Sequence, residues 1–368
     1  MKEIPINMPF FDKREVSEVK KVIEEGNLTS STFQGGNRVR EVESMFCKFV
    51  GTKYTAALNS GTSALQASLM ALGIGKNDEV LLPSFTFVAT ANAVLAVGAI
   101  PVFVDIKKDD YTMDPEDLED RITDNSKAII PVHLYGHVAD IRRIMEIANK
   151  NSLYVIEDAC QSLGSTLHGK QTGSFGDIGC FSFYASKVIT SGEGGAVATN
   201  SKELVDKIKM IRNHGMFNGY DTRILGLNFR MTEICAAITK VQLKKVEKIL
   251  QIRRKNATTL TKMLSDLDIV LPREGDGSRY NWYLYTIALD NRDVTMKKLN
   301  SMGIGATAYY KTPTHRTPFY SIYRVNLPNT EWAADHVLSL PVHPSVSVQD
   351  IGYIVDAVRK VLNAEKRN

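Results

Sequence analysis

One lysine, Lys187, stands in the stretch FSFYASKVITSGEGG between an apolar run and a cluster of glycines. A lysine in such a place is most often a solvated surface charge. Three other features change its meaning. Asp158 and Gln161 follow the apolar run LYVIE, and Ser182 lies in CFSFY, ahead of the lysine. Gly61, Thr62 and Ser63, in NSGTSALQASLMAL, form a glycine turn that opens directly into a helical pattern. Read alone, SGTS is equally a helix cap or a phosphate cradle made of free N–H groups and hydroxyls.

Together, a carboxylate, a hydroxyl, an amine and a phosphate cradle suit pyridoxal 5'-phosphate. The lysine would form a Schiff base with its aldehyde. The carboxylate would keep the pyridine nitrogen protonated, so that the ring draws off electrons, and the helix N-terminus would take the phosphate. Once substrate displaces it, the lysine is free to act as general acid and base.

These residues converge only if the elements carrying them share one sheet edge. Apolar, β-rich runs are expected over 54–58, 79–83, 100–105, 128–133, 153–157, 180–184 and 196–199. Helical patterns cover 63–72, 89–97, 115–121 and 140–150 between them, after two earlier ones at 15–26 and 38–50. Runs such as AIIPV are apolar on both faces. The fold class is therefore α/β, a mainly parallel sheet sandwiched by helices, with ligands at the carboxyl ends of the strands. In CFSFY, alternation puts Ser182 and Tyr184 on one face and the two phenylalanines in the core. A long helical pattern runs on from residue 231, after which composition changes to a smaller α+β unit. Residues 1–244 are expected to form an N-terminal arm and a large cofactor-binding domain, and 245–368 a small C-terminal domain.

Composition narrows the classes. The chain has 368 residues, 43% of them hydrophobic and 23% charged, which fits a globular protein with a large core. No apolar run is long enough to span a membrane. The opening MKEIPINMPFFDKREV lacks the apolar stretch of a secretory leader, so a cytoplasmic location is expected. A formal charge of +4 is too small and dispersed for a nucleic-acid footprint. Four scattered cysteines without a C-x-x-C pair argue against zinc or a disulfide framework.

Two motifs are set aside. GSTLHGK, residues 164–170, opens like a P-loop but is followed by Gln171 where a Ser or Thr hydroxyl is needed, and reads as a hairpin turn. His133 and His137, in HLYGH, are four apart, yet the first ends a strand and Gly136 interrupts. Helical metal-ligand geometry is not expected of them.

The motifs NSGTSAL, LLPSFTFVATANAV, GAIPVFVDI, PVHLYGH, VIEDACQSLGS, GDIGCFSFYASK, GEGGAVATN, RNHG and GLNFRMTEICAAI occur in this order over nearly the whole chain. They resemble the DegT/DnrJ/EryC1/StrS sugar aminotransferases, a branch of the fold-type I, aspartate-aminotransferase-like enzymes. The resemblance implies that Lys187 is the Schiff-base lysine, that Asp158 partners the pyridine nitrogen and that Gln161 approaches the cofactor's phenolic oxygen. It implies phosphate ligands at Thr62, Ser63 and Ser182, and a stacking aromatic at Phe87. Asn228, in GLNFRM, resembles the asparagine that reaches the phosphate in the neighbouring subunit, which implies a homodimer with shared active sites. His133, Tyr309 and His315 are expected in the sugar pocket, because family members line it from these loops. The implied reaction moves an amino group from glutamate to a nucleotide-linked keto-sugar. The loop KVITSGEGG resembles members that aminate C4 of a sugar, so a 4-keto-6-deoxyhexose is expected. An enzyme acting on a cyclitol or aminobenzoate precursor, a lysine-bearing dehydratase and a cofactor-binding regulator stay open as alternatives.

Overall fold

A computed structural model describes residues 3–365 of the chain. Two helices lead in. Helix α1 (Lys13–Glu25) starts two residues before the expected position, because Asp12 and Glu15 form a capping box, and Gly26 ends it in the left-handed conformation at φ 72°. Helix α2 (Asn37–Val50) ends the same way at Gly51.

Then strand and helix alternate. Strand β1 (Tyr54–Leu58) is followed by α3 (Gly61–Ala71), β2 (Glu79–Pro83), α4 (Ala89–Ala96), β3 (Ile100–Val104), α5 (Pro115–Asp120), β4 (Ser126–Ile129), α6 (Ile141–Lys150) and β5 (Tyr154–Asp158). A small hairpin of β6 (Thr166–Leu167) and β7 (Lys170–Gln171) comes where GSTLHGK reads as a turn. Strands β8 (Ile178–Ser182) and β9 (Gly195–Thr199) and helix α7 (Lys202–Ile211) close the series. The seven long strands form one sheet in the order β1-β9-β8-β5-β4-β2-β3, parallel throughout from β3 to β8, with β9 antiparallel to both its neighbours. The expected mainly parallel sheet is thus present.

Alternation sorts the strand residues between two cores. Phe181, Ala196 and Ala198 pack with α2 residues such as Val42 and Phe46 on one side, while Cys180 and Val197 pack with Ala64, Leu65 and Ile208 on the other. Two strands end two or more residues earlier than expected. β4 stops at Ile129 because Pro131 has no N–H to continue the ladder, and only isolated bonds follow, such as Ile130 N–H to Leu81 O at 2.7 Å. β8 stops at Ser182, and Tyr184 leaves the sheet, where the chain turns back at Gly194.

Helix α8 (Glu233–Leu264) runs through the expected boundary at 244/245 without a break. After it come β10 (Ser278–Arg279), β11 (Tyr285–Ala288), α9 (Arg292–Ser301), α10 (Pro328–His336), β12 (Val337–Leu340) and α11 (Val348–Glu365). β11 and β12 pair antiparallel, and Ile287, Leu338, Leu299 and Ile354 share a separate core with the end of α8. No helix among the described residues is long and apolar enough to cross a membrane.

Candidate active site

The carboxyl ends of β5 and β8 and the N-terminus of α3 meet at a cavity of about 470 Å³. Asp158, the last residue of β5, is buried at its wall. Its Oδ2 accepts from Thr90 Oγ1 at 2.9 Å and its Oδ1 from the Cys160 N–H at 3.2 Å, so the carboxylate is oriented before any ligand arrives. Gln161 is oriented as well. Its Oε1 accepts from the Tyr135 N–H at 3.0 Å, which turns Nε2 toward the Tyr310 hydroxyl at 3.0 Å. Burial raises the pKa of Tyr310 well above 10, so this hydroxyl keeps its proton.

Lys187 enters from the loop after β8. Its Nζ lies 4.7 Å from the centre of the Tyr283 ring, and the Tyr283 hydroxyl meets Ser186 Oγ at 3.1 Å. The Cys160 thiol also faces the cavity. Burial, with Asp158 beside it, pushes its pKa up, which leaves it a neutral wall and no competing nucleophile.

At the start of α3 the Ser60 hydroxyl accepts from the Ser63 N–H at 3.0 Å, and Ser63 Oγ takes the Ser60 N–H at 3.1 Å. This capping box leaves the first-turn N–H groups of Gly61 and Thr62 out of the cap, on the cavity wall. A Cβ on Gly61 would sit 2.8 Å from Cys160 Sγ and 2.9 Å from Ser182 Cβ, so only glycine lets this helix end close on the two strand ends. Ser182, whose oxygen accepts from the Tyr184 N–H at 3.3 Å, keeps its proton to donate. Phe87 lines the opposite side and is 58% exposed, a large apolar face with space in front of it. These residues fit pyridoxal phosphate: an N–H and hydroxyl cradle, an oriented carboxylate, an amine and an uncovered ring.

Of the expected site residues, the cavity brings together Gly61, Thr62, Phe87, Asp158, Gln161, Ser182, Lys187 and Tyr309. Four others lie elsewhere. Ser63 spends its hydroxyl on the cap, bonding Asn59 Oδ1 as well, and does not line the cavity. His133 is fully buried below the sheet end. Its Nδ1 accepts from the Ala139 N–H at 3.1 Å, which places the proton on Nε2, 2.9 Å from Glu157 Oε2. Burial also takes His315 out of the cavity wall. Its Nδ1 bonds Ser84 Oγ at 2.7 Å and its Nε2 faces Glu331 at 3.5 Å. Asn228 is exposed and does not line the cavity of its own chain, although its carbonyl accepts from Asn59 Nδ2 at 3.3 Å. Thr90, Tyr283 and Tyr310 were not expected. For Thr90 a signal existed, a hydroxyl in the first turn of α4 within LLPSFTFVATANAV. The two tyrosines come from the C-terminal part of the chain, where no sequence period points at the cavity.

Comparison with known proteins decides the family. The model of the DegT/DnrJ/EryC1/StrS aminotransferase family matches residues 10–359. The chain belongs to this family. It is 40% identical to the UDP-N-acetyl-3-dehydro-alpha-D-glucosamine 3-aminotransferase of Acidithiobacillus ferrooxidans, over 91% of this chain and 92% of that one. It is 37% identical to the GDP-perosamine synthase of Caulobacter vibrioides, over 89% and 91%. Spr1654 from Streptococcus pneumoniae, solved in a PLP form, superposes with a TM-score of 0.93 at 26% identity, covering 99% of each chain. The protein is a pyridoxal-phosphate-dependent aminotransferase of fold type I.

Proposed function

We propose that this aminotransferase moves an amino group from glutamate to a nucleotide-linked keto-sugar in amino-sugar biosynthesis. The observation that carries the proposal is the facing pair in one cavity, Lys187 on its loop and Asp158 held by Thr90 and the Cys160 N–H. When bound, pyridoxal phosphate supplies the aldehyde that takes up the amino group and the ring that accepts the electron pair. Asp158 holds a proton on the ring nitrogen. Lys187 Nζ anchors the cofactor between turnovers, then carries the proton from the donor carbon in the first half-reaction and back to the sugar carbon in the second. The N–H groups of Gly61 and Thr62 and the Ser182 hydroxyl hold the phosphate, and Phe87 covers one ring face. Gln161 Nε2 is placed to donate to the phenolic oxygen. Tyr309, whose hydroxyl burial pushes up to about 12, lines the acceptor side as a neutral donor.

Asn228, absent from its own chain's cavity, is assigned to the phosphate of a second copy, so the working unit is a cytoplasmic homodimer with shared sites. Its exposure supports this reading.

The expected acceptor is a 4-keto-6-deoxyhexose. The Acidithiobacillus relative, named for a 3-dehydro sugar, favours a second reading, amination at C3. The purified enzyme should be incubated with glutamate and, separately, 4-keto-6-deoxy and 3-keto nucleotide sugars, with mass spectrometry of the products. An amino sugar and 2-oxoglutarate in equal amounts from the 4-keto arm support the first reading, and from the 3-keto arm the second. Turnover of neither sugar while glutamate still loads the cofactor would overturn the sugar assignment.

A further inference from the structure

Lys187 lies beyond the end of its strand, so the sheet does not fix its backbone. The loop from Phe183 to Ser191 is held by the packing of Val188 and Ile189 in the core and by local bonds, such as the Lys187 N–H to Tyr184 O at 2.9 Å. Two bonds reach the loop from far away in sequence, both at Ser186: the Tyr283 hydroxyl meets its Oγ, and the second meets its backbone. The carbonyl of Ser186, in the peptide that joins it to Lys187, accepts from Asn7 Nδ2.

Asn7 is itself held from its other end. Its Oδ1 accepts from Arg253 Nη2 at 3.2 Å, and Arg253 Nη1 donates to the carbonyls of Trp282 at 3.1 Å and Tyr283 at 3.2 Å. Arg253 is 1% exposed, and no carboxylate among the described residues pairs with it, so the amide and the carbonyls are what compensate its charge. The circuit closes at the site, where the Tyr283 hydroxyl bonds Ser186 Oγ and the Tyr283 ring lies under Lys187 Nζ. Both ends of the arm that carries Asn7 are fastened. Ile4 exchanges bonds with Gly303 and Gly305 at 2.8 Å, His343 Nε2 donates to Pro5 O at 3.0 Å, and Phe10 O accepts from Gln242 Nε2 at 3.0 Å and Lys245 Nζ at 3.2 Å.

We propose that Asn7 is a positioning residue for Lys187. It clamps the peptide before the lysine, so that Nζ returns to one place over the cofactor while its side chain swings. The amide group is needed for both of its ends. A carboxylate would satisfy Arg253 but would present an acceptor to the Ser186 carbonyl, and alanine would satisfy neither. The inference rests on Lys187 being the cofactor-anchoring amine.

The test compares wild type, Asn7→Ala and Asn7→Asp, each as holoenzyme and as cofactor-free protein. Asn7→Ala is expected to lower kcat roughly ten- to hundredfold while the keto-sugar KM stays within about twofold, as for a reacting group displaced by a fraction of an ångström. In the cofactor-free protein, hydrogen exchange of amides 184–188 should quicken. In Asn7→Asp the arm should stay docked through Arg253, with exchange over residues 3–10 unchanged, yet the kcat loss and the faster exchange at 184–188 should remain. Recovery of wild-type kcat and exchange in Asn7→Asp would overturn the clamp and leave the arm a purely structural strap. So would an Asn7→Ala variant altered only in melting temperature. Borohydride reduction of each holoenzyme separates the two readings. A label on any residue but Lys187 defeats the anchor assignment, whereas a label on Lys187 with unchanged exchange at 184–188 defeats the clamp alone.

Discussion

The two sides of the cofactor cavity are built by different means. Asp158 ends a central strand. Its N–H donates to Pro131 O at 2.9 Å, its carbonyl accepts from the His133 N–H at 3.1 Å, and both carboxylate oxygens are bonded. Lys187, across the cavity, sits on a loop fastened from outside the sheet by an N-terminal arm. The carboxylate has one task and one position, so the sheet can hold it. On the proposed reading the amine would have to bind, leave and return, and it is held by its backbone while its side chain meets a ring face.

Substitutions should separate the two sides. The largest effect is expected on the loop side. Lys187→Ala should reduce turnover on the order of 10⁴-fold or more, while the phosphate cradle still retains cofactor, seen as free-aldehyde absorbance in the visible spectrum. On the sheet side, Asp158→Asn keeps the contact to Thr90 but loses the charge. A loss of about 10²- to 10³-fold in kcat, roughly 3 to 4 kcal/mol, is expected from single-turnover kinetics.

Glu157, next in sequence but on the opposite strand face, supports that side from beneath. It is fully buried and accepts from the N–H groups of Gly173, Phe175 and Gly176 at 2.7, 2.6 and 2.8 Å and from His133. Glu157→Gln would turn an NH₂ group onto some of these donors and should lower unfolding free energy by about 3 kcal/mol, read by denaturant titration. Thr90→Val removes one of the two bonds that orient Asp158. It should cost about tenfold in kcat, near 1.4 kcal/mol, with the fold intact.

The effect expected of the arm depends on pH. Burial pushes the His343 pKa down to about 4, and its Nδ1 has no partner among the described residues, so protonation favours the unfolded chain. Its contribution is whole above the unfolded value near 6.5 and is lost as pH falls from there toward 4, up to about 3 kcal/mol. His343→Gln, melted across that range, should show a flatter profile than wild type.

The same division explains what could be read from the sequence. Sheet-borne features were legible, because a strand end followed by Asp158, a glycine turn opening a helix and a period-2 strand before Lys187 each follow from local pattern. The family resemblance puts His133 in the sugar pocket, yet its ring N–H donates to the buried Glu157 on the far face of β5. Ser63 has the right type and place for a phosphate ligand, but a helix that begins at Gly61 needs its hydroxyl for the cap. Tyr283 and Tyr310 line the cavity, and Asn7 meets the lysine loop, through contacts between segments far apart in sequence. Tyr310 does so with φ at 59°, a left-handed backbone that no local pattern announces in a tyrosine.

The central claim is that Lys187 is the amine that anchors the cofactor. It is tested most directly by reducing the yellow holoenzyme with borohydride, digesting it and sequencing the pyridoxyl-labelled peptide by mass spectrometry. A stable label on Lys187, lost when glutamate is added before reduction, is the expected result. A colourless protein that takes up no cofactor, or a label on another lysine, would contradict it.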